Sequence, residues 1–173
     1  MEPKELMEVQ EEARESHQRV VGLTTAVVAA LLAAVVLMGH RLNTEEIVMQ
    51  TKSADGWAYY QAKNTRSQMY ATDAKLAEIG GRSGAALAAT WSQKADEEKK
   101  QADDIRKENE TRDQETNSIA RQASYFDAAE VCLEMAIVLC SIALLADNKF
   151  FWRLSFIGTA AGLGLAAWGF ITH

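Results

Sequence analysis

Proline is almost missing from this 173-residue sequence; Pro3 is the only one. Beyond that position no proline can interrupt a helix. Cysteine is scarce as well, with Cys132 and Cys140 alone, which excludes a disulfide scaffold. The two lie eight residues apart, ~12 Å along a helix and beyond the reach of a disulfide, so they read as small buried apolar residues. With 10 glycines and no repeat of them, collagen is excluded. Clustered lysine and arginine are also missing, and the net charge of −6 argues against a nucleic-acid partner. The histidines, His17, His40 and His173, share no metal-ligand spacing. No HExxH, paired CxxC, GxSxG or phosphate loop occurs. Gly80-Gly81-Arg82-Ser83-Gly84 lacks the Walker lysine and follows a helical pattern, so it reads as a turn. No catalytic, cofactor-binding or metal residue is assigned, and an enzyme is not expected.

What is present is segregated. Val20 to Gly39 is a run of 20 residues without a charge, and Leu154 to Thr172 a run of 19. Each approaches the ~20 residues that span a bilayer as helix. Ser92 to Ser118, by contrast, holds 15 charges in 27 residues, with Ile105 its only large aliphatic residue. A compact water-soluble globule is excluded by that division. Nor does the amino end read as a cleaved signal: a mostly polar stretch of 19 residues, six of them glutamates, precedes the first apolar run.

The expected architecture is an all-α integral membrane protein. Residues 1–19 form an acidic amphipathic helix along Leu6, Val9, Ala13 and Val20, with Lys4–Glu8 and Glu15–Arg19 at i,i+4. Residues 20–39 form the first span. Asn43 with Glu46 resembles a capping box, which predicts a fresh helix from there to about Ile79. Val48, Thr51, Ala58, Ala62, Thr65, Met69, Thr72, Leu76 and Ile79, at alternating spacings of three and four with Asp55 as the one interruption, predict its packing seam. After the glycine turn near 80–84, a second helix runs unbroken to about Asp147. Residues 43–127 thus become an extramembrane antiparallel, coiled-coil-like hairpin between the first and second spans. The second span, 128–146, admits Glu130 and Glu134, and the third is 154–172. Between them Phe150, Phe151 and Trp152 suit an interfacial aromatic belt.

Small residues mark candidate helix-packing faces: Gly22, Ala26, Ala30 and Ala34 in the first span, and Gly158, Gly162 and Ala166 in the third. Acids within a span are costly and call for partners. Glu130 and Glu134, with His40 and Arg41 at the same membrane face and Thr172 and His173 ending the third span, form a candidate intramembrane polar site. It is either a structural hydrogen-bonding group or an ion path, and the structural reading is preferred. Trp57, Tyr59, Tyr60, Gln61 and Lys63 form a second candidate cluster, either hairpin core or a recognition surface with a polar rim. Positive charges near the spans number five on the amino-terminal side (Lys4, Arg14, Arg19, Lys149, Arg153) and four opposite (Arg41, Lys52, Arg112, Arg121). That balance places the amino terminus in the cytoplasm and the hairpin outside it.

Thr44-Glu45-Glu46, Gln50-Thr51-Lys52 and Asp55 to Lys63, with Tyr125-Phe126-Asp127 leading into Glu130 and Glu134 and then Val138 to Ser141, resemble the bacterial family catalogued as domain of unknown function 4337. The stretch Trp57 to Lys63 is the most specific part of the likeness, and the charged run of 92–118 lies outside it. The resemblance implies a small bacterial membrane protein, for which the inner membrane is the expected location, and brings no activity, substrate or cofactor. The expected function is a non-enzymatic, homo-oligomeric scaffold or interaction protein, in contact with the lipid bilayer and open to a protein partner through the hairpin. The alternative is a small channel or transporter subunit that uses the boundary glutamates.

Overall fold

The computed structural model describes residues 3–171, with side chains for Glu12 and from Arg14 to Ile171. Helix α1 runs from Pro3 to Ile79, α2 from Ala85 to Ala146 and α3 from Lys149 to Ile171. The chain forms two compact units: residues up to Thr44 together with those from Ile119 onward, and Glu45–Ser118.

Among the described residues, three helices carry stretches long and apolar enough to cross a membrane. In the unit that contains them, buried positions recur every seven residues: Val21, Val28, Val35 and Leu42 on α1, and Ser155, Gly162 and Gly169 on α3. Helix α2 meets them with Phe126, Ala129, Leu133, Ala136, Cys140 and Ala143. A repeat of seven keeps one seam turned toward a partner helix. Close approach depends on α3 glycines: a Cβ on Gly162 would lie 2.9 Å from Leu133 Cγ and 3.0 Å from the Ala129 carbonyl oxygen. Here polar side chains are satisfied locally. Thr24, Thr25, Ser141 and Thr159 donate to carbonyls one turn back, and the Cys140 thiol lies 3.2 Å from Ser155 Oγ. Both cysteines are free. At the α2–α3 turn Asp147 takes a positive φ of 49°, and Asn148 caps α3 by accepting from the Phe150 amide at 2.9 Å. Arg14 reaches back to Asp147 at 3.0 Å, and Trp152 stacks edge-on against His17 and Phe156.

The Glu45–Ser118 unit is a helical hairpin closed by a single 3-10 turn at Gly81–Ser83, where Gly81 has φ +66°. The pairs Ser53–Asp113, Lys63–Glu98 and Ser67–Ala95 show that its two helices run antiparallel. On α2 the buried seam is Ala88, Ala95, Ala102, Asn109 and Thr116, again every seventh residue. Its mixed-charge residues are helical throughout, as good helix formers without glycine or proline require.

Two expectations fail here. No fresh helix starts at Asn43: α1 is continuous, and Asn43 Nδ2 donates to Asp127 Oδ1 at 3.4 Å instead of capping a helix end. The expected seam also faces the wrong way. Met69, Leu76 and Ile79 are 61%, 60% and 82% exposed. Val48, Thr51, Ala58, Ala62, Thr65 and Thr72 are exposed too. Helix α1 packs through Ser53, Lys63, Ser67 and Ala74. Small side chains there let the two backbones approach closely, which large ones would prevent. Of the seam expected for the amino-terminal helix, Val20 is 47% exposed, and the side chains of Leu6, Val9 and Ala13 lie outside the described residues.

Candidate functional site

The aromatic and polar cluster of α1 divides between two directions. Trp57 and Tyr60 pack edge to face at 5.6 Å, and the Trp57 indole donates to Asp113 Oδ2 at 3.1 Å. Ser53 donates to the other oxygen of the same carboxylate. One turn on, Lys63 is buried, with Nζ 2.9 Å from Glu98 Oε2 and 5.7 Å from the Tyr59 ring centre. Arg66 approaches the second Glu98 oxygen at 3.6 Å. Tyr59 and Gln61 are exposed. Trp57, Tyr60 and Lys63 therefore serve the hairpin core, while Tyr59 and Gln61 lie on its surface.

Glu98 is held below the usual glutamate range. The hydrogen bond from Lys63 is the main cause, the charges of Lys63 and Arg66 add to it, and partial burial opposes it. An ionised Glu98, held beside Lys63, thus belongs to the folded hairpin.

Residues that the sequence reading passed over complete this seam. Asn109 is 1% exposed and lies against Gly56, where any Cβ would collide with its amide. Its Oδ1 accepts from Arg112 at 3.1 Å, and Arg112 also binds Glu108 at 2.7 Å and the Lys52 carbonyl at 3.4 Å. The available signal was the seven-residue repeat of small residues from Ala88 through Ala95 and Ala102, which puts Asn109 and Thr116 in the same frame.

Among the described residues, no hydrogen bond or ion pair joins Glu130, Glu134, His40 and Arg41. His40, Arg41 and Glu134 are exposed and Glu130 is half-buried. Thr172 and His173, the other expected partners, lie outside the described residues. Glu134 shares its outward surface with Val131, Met135 and Val138, each at least half exposed. The packing stripes separate in the same way. Gly158, Gly162 and Ala166 pack against α2, whereas Gly22, Ala26, Ala30 and Ala34 all point outward, with nothing within 4 Å of where a Gly22 Cβ would stand.

Long helices packed in heptad registers, three of them with membrane-length apolar stretches, define an all-α protein with the composition of a membrane protein. The chain belongs to the family described as Domain of unknown function (DUF4337), whose model matches residues 17–172. No curated protein and no solved structure matches it.

Proposed function

We propose that this is a non-enzymatic, homo-oligomeric protein of the bacterial inner membrane, with three spans, a cytoplasmic amino terminus and the 45–118 hairpin on the outer side as a scaffold or interaction element. The observation that carries this reading is Glu134. It stands on the outward, otherwise apolar surface of a membrane-length stretch with no partner among the described residues. A carboxylate there costs ~2–3 kcal/mol on insertion scales unless something polar covers it. A second copy supplies that cover. The outward stripe of Gly22, Ala26, Ala30 and Ala34 supports the same reading, since small residues are what close helix association in lipid uses. One observation favours a channel or transporter as the second reading: the same Glu134, repeated around a ring of copies, would line a common path.

Light scattering on the detergent-solubilised chain, with the detergent mass subtracted, tests the oligomer. A multiple of 19.0 kDa is expected, and a clean 19.0 kDa species refutes it. Impermeant maleimide on intact cells tests topology, using Glu110→Cys or Ser16→Cys in a chain without Cys132 and Cys140. Labelling at 110 and protection at 16 is the expected pattern.

A further inference from the structure

The two helices of the hairpin turn chemically different faces outward. Two residues on either side of the buried Ala95, Ala102 and Asn109, and so ~200° around the helix, α2 carries Glu97, Lys100, Asp104 and Lys107. All four are exposed, as charges on a solvated helix face are. The equivalent positions of α1, two residues on either side of the buried Ser67 and Ala74, hold Thr65, Met69, Thr72 and Leu76. With Ala58, Ala62 and Ile79 they form an exposed frame at steps of four and three that contains no charge. Met69, Leu76 and Ile79 each leave more than half their surface in water. Thr72 donates its hydroxyl to the Gln68 carbonyl at 2.9 Å, which leaves its methyl group for packing. Sustained spacing of this kind is the pattern by which one helix packs along another.

We propose that the 58–79 face of α1 is a docking surface whose occupant is the same face of a second copy, parallel and in register. This deepens the oligomeric reading above and rests on it. Helix α1 is continuous from its membrane-length stretch to Ile79, so copies in one bilayer present it in the same direction and at the same height. Identical residues then meet in layers, and a charge within the frame would face itself. From Ala58 to Ile79 no layer is charged. Ala58 and Ala62, which line a shallow groove, let the two backbones come closest there, and Met69, Leu76 and Ile79 fill the wider layers beyond. Counted back in sevens along α1, the same two positions in the apolar stretch carry Leu23, Val27, Ala30, Ala34 and Leu37, which are exposed as well.

The residues that flank the frame suit this register. In a parallel pair each flanking residue faces one five further on in the other copy, so Gln61 faces Arg66 of the second copy and Gln68 faces Asp73. A glutamine amide accepts from a guanidinium and donates to a carboxylate, and no like charges are opposed. Arg66 can take part, since its side chain remains 54% exposed beside Glu98. Tyr59 faces the small Ala54 of the second copy in the same way. Tyr59 and Gln61, which the hairpin core leaves on its surface, thereby gain partners.

One step before Ala58 the frame reaches Asp55, also exposed. In register, Asp55 stands against Asp55 of the second copy, and like charges so placed weaken the pair. A polar residue at one such position fixes register at a cost in stability.

Cysteine cross-linking reads the face and the register. The full chain without Cys132 and Cys140 is oxidised in membrane vesicles as Thr65→Cys, as Leu76→Cys and as Glu78→Cys. The first two should each give a dimer linked through the same residue of both copies. Glu78 is exposed but lies two residues beyond Leu76, on the other side of the helix. Its variant should give no more than about a tenth of their yield, because a disulfide needs Cα atoms within about 7 Å. Equal yields from all three would overturn the surface. An oligomer by light scattering with no link through Thr65→Cys or Leu76→Cys overturns this interface and leaves the oligomeric reading standing, whereas a monomer removes both. As a second variant, Asp55→Asn removes the opposed charges without changing shape. It should stay dimeric in detergent down to about a tenfold lower chain concentration than wild type. An Asp55→Asn chain that dissociates at the wild-type concentration or above it refutes the parallel register.

Discussion

Gly56 of α1 and Asn109 of α2 interlock: the Asn109 amide fills the space that a side chain on Gly56 would need. Asn109 is 1% exposed, and its Nδ2 has no hydrogen-bond partner. A buried polar group in a heptad seam fixes register at some expense of stability. The glycine is therefore part of the packing and not a flexible joint.

Gly56→Ala should destabilise the hairpin. Overpacking costs about 1–3 kcal/mol, and the better helix propensity of alanine offsets at most about 1 kcal/mol. Adding Asn109→Ala makes room for the new methyl and removes the unpartnered amide. The double variant should recover the wild-type melting temperature or exceed it, as measured by circular dichroism on the full chain. Two single effects that merely add would show that the residues do not share this space.

Acid should weaken the hairpin through Glu98. Its carboxyl is held below the ordinary value of 4.5, so the folded hairpin favours the ionised form. That contribution is fully present above the unfolded value near 4.5 and is lost as pH falls through the lower folded value. Glu98→Gln should melt lower than wild type at neutral pH, and the gap should close in acid. A gap that stays constant with pH would show that the Lys63 pairing contributes nothing through charge.

Two glycines in membrane-length stretches should respond oppositely to substitution. Gly162→Ala brings a methyl to 2.9 Å from the fully buried Leu133 and 3.0 Å from a carbonyl oxygen, so unfolding should become easier by about 1–3 kcal/mol. A Cβ on Gly22 would meet nothing within 4 Å, so Gly22→Leu should leave the melting temperature unchanged. Its effect should appear as a smaller particle in light scattering, because it lies on the outward stripe proposed to meet another copy.

Glu134→Gln separates a structural acid from a conducting one. The amide keeps the shape and a hydrogen-bonding pair while removing the charge, so oligomer size should be unchanged. Liposomes loaded with a pH-sensitive dye, under an imposed potential, should show no proton or monovalent-cation flux with either wild type or variant. The side-chain hydroxyls of Thr24, Thr25, Ser141 and Thr159 are engaged with their own helices and offer no continuous polar path. Wild-type flux abolished by Glu134→Gln would establish the channel reading instead.

The sequence by itself determined the element order of this protein. Charge-free runs of membrane length stand apart from a charge-dense run, and a chain with no proline after position 3 has its main break where Gly80, Gly81 and Gly84 cluster. Trp57 to Lys63 carried the family resemblance. Which face of α1 turns inward was decided only in the tertiary structure. Two frames that both fit steps of three and four coexist on that helix, one through Ser53, Lys63, Ser67 and Ala74, the other through Ala62, Met69, Leu76 and Ile79. Periodicity reports that a frame exists and is silent on its partner. The inner frame was settled by the opposing helix, where the small Ala88, Ala95 and Ala102 face Ser67, Ala74 and a Lys63 paired with Glu98.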